Sequence, residues 1–402
     1  MNDLAIVPVC FAMLLFLFSK TRLQSVEWKA TVTPLASIIG SGFLVVTPLM
    51  LMICGKYAPL AITGIVIFAY VIGSVLRFNI SHFSGQLDSS HTPQYIKELE
   101  RLSYLTLSIS YLISIAFYIK LLSYFLLKAV NSIDPFYANL ITTVILGSLG
   151  VIGKLRGFKH LESLEEYSVN IKLAIIAAML AGLAIYNINL YNAGKWHLLL
   201  TTPPIDLTTV RELLGVIIIV QGFETSRYLT AQYSPAMRIK TMRIAQIISG
   251  IIYVAFITLA MVMFNVITHY DETTIIDVIS LSSIILPSML IIAAVFSQFS
   301  AAIADMIGAG GLTLEALHLR TKPNNVYLIF ALMAIILIWM SNVFQIVTIA
   351  SRAFALYYAI QAFEAAMISY KQRRNAVSIS RTVLFLIMFI VLMFSVVYGI
   401  PV

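Results

Sequence analysis

The sequence predicts an all-α protein that crosses a membrane about twelve times, with two crossing helices broken near the middle of the bilayer. Of its 402 residues, 60% are hydrophobic and 11% are charged, and the mean hydropathy is +0.94. A soluble domain of this length does not bury so much apolar surface, so the solvent of this chain is lipid. Glycines in the middle of two apolar runs predict the breaks.

Charge and cysteine usage exclude several classes of protein. The net charge is +8, but Lys and Arg lie in short connections between apolar runs, as orientation charges do, and no nucleic-acid partner is predicted. Cys10 and Cys54 lie in or beside apolar segments, and there is no His/Cys ligand spacing or phosphate-binding glycine loop. We therefore expect no disulfide framework, metal site or cofactor.

The first apolar run extends from Leu4 to Ser19 and is followed by Lys20 and Arg22. A secretory signal has the opposite order, with its positive charge before the apolar core. We predict an additional anchor helix with its N-terminus outside. A helix lying on the membrane surface is the alternative.

Eleven further apolar runs are candidate crossings: 31–54, 58–80, 103–129, 137–153, 166–188, 207–233, 243–268, 284–309, 325–341, 343–369 and 382–400. Positive charges concentrate in alternate connections, which places those connections in the cytoplasm and predicts a multi-pass protein of the cytoplasmic membrane. The connections 81–100 and 269–285 are expected to be structured, the second as a short helix that covers the bundle. The predicted units are an N-terminal helix and linker (1–30), a first half (31–188), an extracellular connection (189–206), a second half (207–370) and a peripheral helix (371–402).

The first predicted break lies at Gly40-Ser41-Gly42. Gly40 is about ten residues from Thr31, or roughly 15 Å into the membrane. Each glycine costs a helix about 1 kcal/mol relative to alanine, and a helix that opens in lipid must line a cavity or meet a ligand. The alternative is an unbroken helix whose glycines permit close helix packing.

The second predicted break lies at Gly222, about fifteen residues into the run that begins at Leu207 and again near the midplane. Gly222 is followed by Phe223 and the carboxylate of Glu224. Two interrupted spans, each opening a five-helix half, indicate an inverted-repeat transporter with its site at the breaks.

Three motifs carry a resemblance to a known family. Ser37-Ile38-Ile39-Gly40-Ser41-Gly42-Phe43 resembles the first-helix motif of the amino acid–polyamine–organocation (APC) transporters. Gly222-Phe223-Glu224 with the downstream Ser234-Pro235-Ala236-Met237-Arg238 is similar to the sixth helix of that family, and 292–302 resembles its small-residue eighth helix. The sequence departs from the pattern at Ala231-Gln232, where the family usually has two glutamates. The resemblance implies a LeuT-type 5+5 inverted-repeat bundle and secondary transport of amino acids or related amines by alternating access.

An amino acid zwitterion needs amide donors for its carboxylate and carbonyl acceptors for its ammonium, and two broken helices offer both. We expect the amides of Ser41, Gly42 and Phe43 to take the carboxylate. The ammonium is expected to bind the carbonyls of Ile38, Ile39, Val220 and Gln221. Phe223 closes over the substrate, and Glu224 either contacts it or holds the unwound segment as a local hydrogen-bond partner. The predicted substrate-binding residues are Ile38, Ile39, Gly40, Ser41, Gly42, Phe43, Val220, Gln221, Gly222, Phe223 and Glu224.

Lys172 lies about six residues into its span, roughly 9 Å from the inner surface. A lysine at this depth either has a function or extends to the interface. The resemblance implies that its ammonium replaces a sodium ion between the first and eighth core helices, near Ile38–Gly40 and Ser297 or Ser300. Transport is then sodium-independent, by proton coupling or exchange.

Lys120, Asp305 and Arg352 are further charged residues within apolar spans. Lys120 either faces the site, where it favours an anionic substrate, or pairs with a carboxylate, and the other two are candidates for gates. Two alternative functions are a channel or sensor derived from a transporter, and a polytopic membrane enzyme. The enzyme is disfavoured because the six histidines are scattered over the connections. The predicted partners are a small-molecule substrate and the lipid bilayer.

Overall fold

The computed structural model describes residues 3–83, 93–157, 163–198, 204–229, 232–265, 271–318, 324–372 and 376–401, and these residues are predominantly helical. The helices are α1 Asp3–Leu17, α2 Lys20–Leu23, α3 Val26–Ile38, α4 Ser41–Cys54, α5 Ala58–Phe83, α6 Gln94–Ala129, α7 Pro135–Arg156, α8 Ser163–Asn192, α9 Leu207–Val216, α10 Thr225–Tyr228, α11 Pro235–Ala260, α12 Thr274–Ser280, α13 Leu286–Ala316, α14 Asn324–Met340, α15 Val343–Lys371 and α16 Ala376–Tyr398. Short 3₁₀ turns lie at Gly55–Tyr57, Ile217–Val220 and Met261–Asn265.

The predicted all-α membrane fold is confirmed. In the described ranges, eight helical stretches are long and apolar enough to cross a membrane, and one of them, Gly42–His82, contains both α4 and α5. Shorter helices make up the other predicted crossings: α1, α3, the pieces α9 and α10, and α14. The division into halves at 31–188 and 207–370 stays a prediction.

Local chemistry sets several helix ends. The carboxylate of Asp134 accepts a hydrogen bond from the amide of Phe136, and Pro135 occupies the first turn of α7, where its missing N–H costs nothing. Asn342 and Gln345 form a reciprocal capping box at the start of α15. The ends of these helices are therefore determined by residues next to them in the sequence.

The helix α6 lies at the centre of the bundle and is the most buried of the eight membrane-crossing stretches. It packs against α13, α15 and α7, and it begins at Gln94, nine residues before the predicted start at 103. The least buried stretch is α16, which packs on α15 and α9 at the periphery. The helices α6 and α15 pack against each other and lie beside the broken helices, and we call this pair of helices the wall.

The additional N-terminal helix packs along α8. A Cβ on Gly182 in the outer part of α8 would lie 2.9 Å from Ile6, and the ring of Phe18, just after α1, stacks on Tyr167 near the start of α8 at 6.0 Å. These contacts support the spanning anchor over the surface helix. In the predicted connection 269–285, α12 is the expected short helix, whereas 266–270 and, in the other connection, 84–92 lie outside the described residues.

Candidate functional site

The first core helix is interrupted at Gly40, the first residue of the predicted break, whereas the predicted Ser41 and Gly42 already belong to the next helix. The helix α3 ends at Ile38 and α4 begins at Ser41. Between them, Ile39 (φ −87°, ψ 52°) and Gly40 (φ −92°, ψ −140°) are not helical. We call Ile39–Gly40 the first break.

The sixth core helix is interrupted over a longer stretch. The helix α9 ends at Val216, a 3₁₀ turn follows, and regular structure resumes at Thr225 with the short helix α10. Gly222 has φ +122°, a backbone conformation that side chains other than glycine rarely adopt. We call 217–224 the second break, which begins five residues before the predicted Gly222.

The two breaks lie directly against each other. A Cβ on Gly42 would be 2.3 Å from the carbonyl oxygen of Ile219, and a Cβ on Gly222 would be 2.5 Å from the carbonyl carbon of Ser37. Only glycine permits this separation of the backbones. The two interpretations of the glycines are therefore compatible, since Gly40 and Gly222 lie at the breaks, and Gly42 and Gly222 permit close packing.

A single hydroxyl connects the breaks. The Oη of Tyr253 in α11 lies 2.8 Å from the carbonyl oxygen of Ile38 and 3.0 Å from that of Ile219. The carbonyl of Ile38, a predicted ligand of the substrate ammonium, thus accepts a hydrogen bond from the protein. No feature of the sequence distinguishes Tyr253 from other tyrosines in apolar spans.

The carboxylate of Glu224 stabilises the second break. Its Oε2 accepts hydrogen bonds from the amide of Gly222 at 2.9 Å and from the hydroxyl of Tyr358 at 2.6 Å, and the residue is completely buried. The ring of Phe223 stacks on Tyr358 at 5.3 Å. This geometry matches the interpretation of Glu224 as a local hydrogen-bond partner.

A small cavity of about 40 Å³ lies between the breaks and the wall formed by α6 and α15. Its lining residues are Ser37, Gly42, Ser114, Phe117, Tyr118, Ile219, Gln221, Val347, Ala350, Ser351 and Phe354. Of the predicted substrate-binding residues, Gly42 and Gln221 lie in this lining. The ring of Phe43 instead packs against Tyr253 and Phe256 in α11.

Two features of the cavity are suited to a polar solute. Gly40 provides no side-chain cap for α4, and Gly42 in the first turn of this helix lines the cavity, so the positive dipole end of α4 lies next to the cavity. The Oε1 of Gln221 is buried and has no hydrogen-bond partner among the described residues. A buried acceptor without a partner costs about 1–3 kcal/mol, and a donor on a solute would remove that cost.

The ammonium of Lys172 is bound between helices. Its Nζ donates hydrogen bonds to the carbonyl oxygen of Ala36 and to the hydroxyl of Ser297, both at 3.0 Å, and the side chain is buried. Ser297 is one of the two predicted partners, and the hydroxyl of Ser300 donates to the Ser297 carbonyl at 3.3 Å. Ala36 lies two residues before the predicted Ile38–Gly40. Lys172 therefore connects α8 to α3 and α13.

Two other charged residues make hydrogen bonds to backbone carbonyls. The Nζ of Lys120 donates to the carbonyls of Ile338 at 2.8 Å and Ser341 at 2.5 Å, at the end of α14. The Nε of Arg352 donates to the carbonyl of Gly399 at 3.0 Å. Asp305 is buried in α13. Lys120 thus caps a helix, as cations do at C-termini.

A buried cluster of charges connects the helix that follows the second break to α6 and α15. The guanidinium of Arg227 in α10 pairs with Glu100 of α6 and lies 3.7 Å from Glu364 of α15. Arg238 donates to the backbone carbonyl of Arg227 at 2.6 Å. This cluster could not be predicted from the sequence, because its members are far apart in the chain.

Comparisons with known proteins define the class. A family model described as APC superfamily transporter matches residues 20–399, and the chain belongs to this family. It is 41% identical over 392 residues to an uncharacterized protein of Aquifex aeolicus (strain VF5), an alignment that covers 96% of this chain and 94% of the relative.

Solved structures show the same fold at low sequence identity. Mhp1, a nucleobase-cation-symport-1 family transporter, has a TM-score of 0.60 at 10% identity, over 93% of this chain and 91% of that one. The manganese transporter of Eremococcus coleocola has a TM-score of 0.55 at 13% identity, over 94% and 87%. A Na⁺-coupled sialic acid symporter has a TM-score of 0.51 at 13% identity, over 100% and 98%.

The fold and the family both identify a membrane transporter. The protein is a multi-pass membrane protein with the LeuT fold and a secondary transporter of the APC superfamily, not an enzyme. Its partners are a small-molecule substrate and the lipid bilayer.

Proposed function

We propose that the protein transports amino acids or related amines across the cytoplasmic membrane by alternating access, without sodium. The cavity at the two breaks carries this proposal. It combines the uncapped start of α4 with an acceptor oxygen that has no partner in the part of the chain that the structure describes, and these are the two groups that a zwitterion needs.

The proposed contacts follow from this geometry. The amides of Ser41, Gly42 and Phe43 bind the carboxylate, because the N-terminus of a helix stabilises an anion. The Oε1 of Gln221 binds the ammonium together with free backbone carbonyls of the breaks, for which Ile39 and Val220 are candidates. Gly40, Gly222, Phe223 and Glu224 maintain the backbone that presents these groups, as does Ile38 through its hydrogen bond with Tyr253.

Sodium independence is supported by the position of Lys172. A carbonyl oxygen and a hydroxyl oxygen, the kinds of ligand that hard cations use, are both bound to its ammonium. A positive charge that belongs to the protein therefore occupies the place between α3 and α13, with Ser297 and Ser300 beside it. Movement of substrate is then driven by proton coupling or by exchange.

Uptake into proteoliposomes tests this function. We expect at least one amino acid or amine to accumulate at the same rate with and without sodium, and we expect Lys172→Ala to abolish uptake. Lys195→Ala, at an exposed lysine on the extracellular connection, is the matched control and should have no effect. Uptake that requires sodium and survives Lys172→Ala would reject the role of Lys172.

A further inference from the structure

Two charged residues are close in the sequence to residues that line the cavity, but their charged groups are hydrogen-bonded to backbone carbonyls away from it. Lys120 lies two residues after the lining residue Tyr118, yet its ammonium is held by carbonyls at the end of α14. Arg352 follows the lining residue Ser351, yet its guanidinium is held by the carbonyl of Gly399.

The two charged residues nearest the breaks are also bound by protein groups. The Oε2 of Glu224 accepts from the amide of Gly222 and the hydroxyl of Tyr358, its Oε1 is buried without a hydrogen-bond partner among the described residues, and Glu224 is not among the residues that line the cavity. Lys172 donates to Ala36 and Ser297. In the part of the chain that the structure describes, the lining of the cavity contains no Asp, Glu, Lys or Arg.

The cavity has two chemically different sides. At the breaks it has the start of α4 and the amide of Gln221. On the side of α6 and α15 it is mainly apolar, with the side chains of Phe117, Val347, Ala350 and Phe354. Hydroxyls of Ser114 and Ser351 are the polar groups on that side, together with Tyr118.

We infer that the substrate is a neutral α-amino acid whose uncharged, mainly apolar side chain lies against Phe117, Val347 and Phe354. This inference rests on the proposed function, because it assumes that the breaks bind the zwitterionic head. A charged side chain on the substrate would be buried against apolar groups without an opposite charge beside it. This is strongly unfavourable in a medium of low dielectric constant. We expect the affinity for amino acids with charged side chains to be lower by about a hundredfold or more.

Ligand-induced stabilisation of the purified protein against heat tests this inference, because a ligand that binds the folded state raises the unfolding temperature. The probes are L-leucine, L-phenylalanine, L-methionine, L-lysine, L-arginine and L-glutamate. We expect at least one of the first three to stabilise the protein, and the last three to require concentrations about a hundredfold higher. Stabilisation by lysine, arginine or glutamate at concentrations as low as those of the best neutral probe would overturn the inference.

A substitution in the wall provides a gain-of-function test. Ser351→Asp places a carboxylate beside the substrate side chain, so lysine and arginine should stabilise this variant at concentrations at least tenfold lower than for the wild type. Ser351→Asn, which has nearly the same shape without the charge, is the matched control and should not gain this response. If Ser351→Asp fails to fold, the stabilisation of the wild type by neutral and charged amino acids still tests the inference. If no amino acid or amine stabilises the wild type or enters proteoliposomes, the proposed function itself is wrong. If only charged amino acids or amines bind, the proposed function stands and this inference is wrong.

Discussion

The contact between the two breaks can be tested by adding one methyl group. In Gly42→Ala, the new Cβ would lie 2.3 Å from the carbonyl oxygen of Ile219, whereas real Cβ atoms essentially never come closer than 3.0 Å. The breaks must therefore separate by about 0.7 Å, the difference between these two distances. Because the neighbouring group is backbone and not a flexible side chain, the separation moves the walls of the cavity.

The expected losses of stability and of substrate affinity follow from the known cost of overpacking a close contact. Inserting one carbon into a close-packed contact costs about 1–3 kcal/mol, and binding sites require their groups within about 0.5 Å of the productive position. We expect Gly42→Ala to fold, to lose about 1–3 kcal/mol of stability and to bind substrate at least about tenfold more weakly.

The assay compares two alanine variants by heat unfolding, circular dichroism and substrate-induced stabilisation. Gly64→Ala in α5 is the matched control, because its Cβ would have no atom within 4 Å. That variant should be as stable as the wild type or slightly more so, since alanine favours a helix by about 1 kcal/mol. Wild-type binding and stability in Gly42→Ala would refute the contact between the breaks.

Three further predictions concern the polar contacts around the site. Tyr253→Phe removes the hydroxyl that joins the breaks and should cost about 1–3 kcal/mol, measured as a lower unfolding temperature with slower uptake. Arg227→Ala leaves Glu100 and Glu364 buried without their cation and should lower the free energy of unfolding by about 3–5 kcal/mol. Unchanged thermal stability would show that Arg227 does not pair with these carboxylates. Lys128→Ala breaks only a partly exposed ion pair with α12, so a change above about 1 kcal/mol in the same measurement would contradict this assignment.

The positions of the breaks could be predicted from the sequence because their signals are local. Gly40 and Gly222 interrupt apolar runs at mid-membrane depth. A glycine destabilises a helix there, and a helix that opens in lipid must line a cavity or pack against protein, so each glycine indicates a break. The start of the second break at Ile217 could not be predicted. Its residues, Ile-Ile-Ile-Val, carry no breaking signal, and the close approach of Gly42 to Ile219 is a tertiary contact.

The apolar wall of the cavity could not be predicted for a similar reason. Phe117 and Phe354 are separated by more than half of the chain and resemble any aromatic residue in a membrane span. Only the packing of α6 against α15 brings them together. In contrast, the contact of Lys172 with Ser297 could be predicted, because a buried charge needs a partner and the family resemblance indicates where that partner lies.

The most direct test of the account is a structure of the protein with the amino acid that stabilises it best. We expect the carboxylate of that ligand at the amides of Ser41–Phe43, its ammonium at the Oε1 of Gln221, and its side chain against Phe117 and Phe354. Ligand density away from both breaks, or continuous helical hydrogen bonding through 38–41 and 217–224 with no cavity between them, would contradict it.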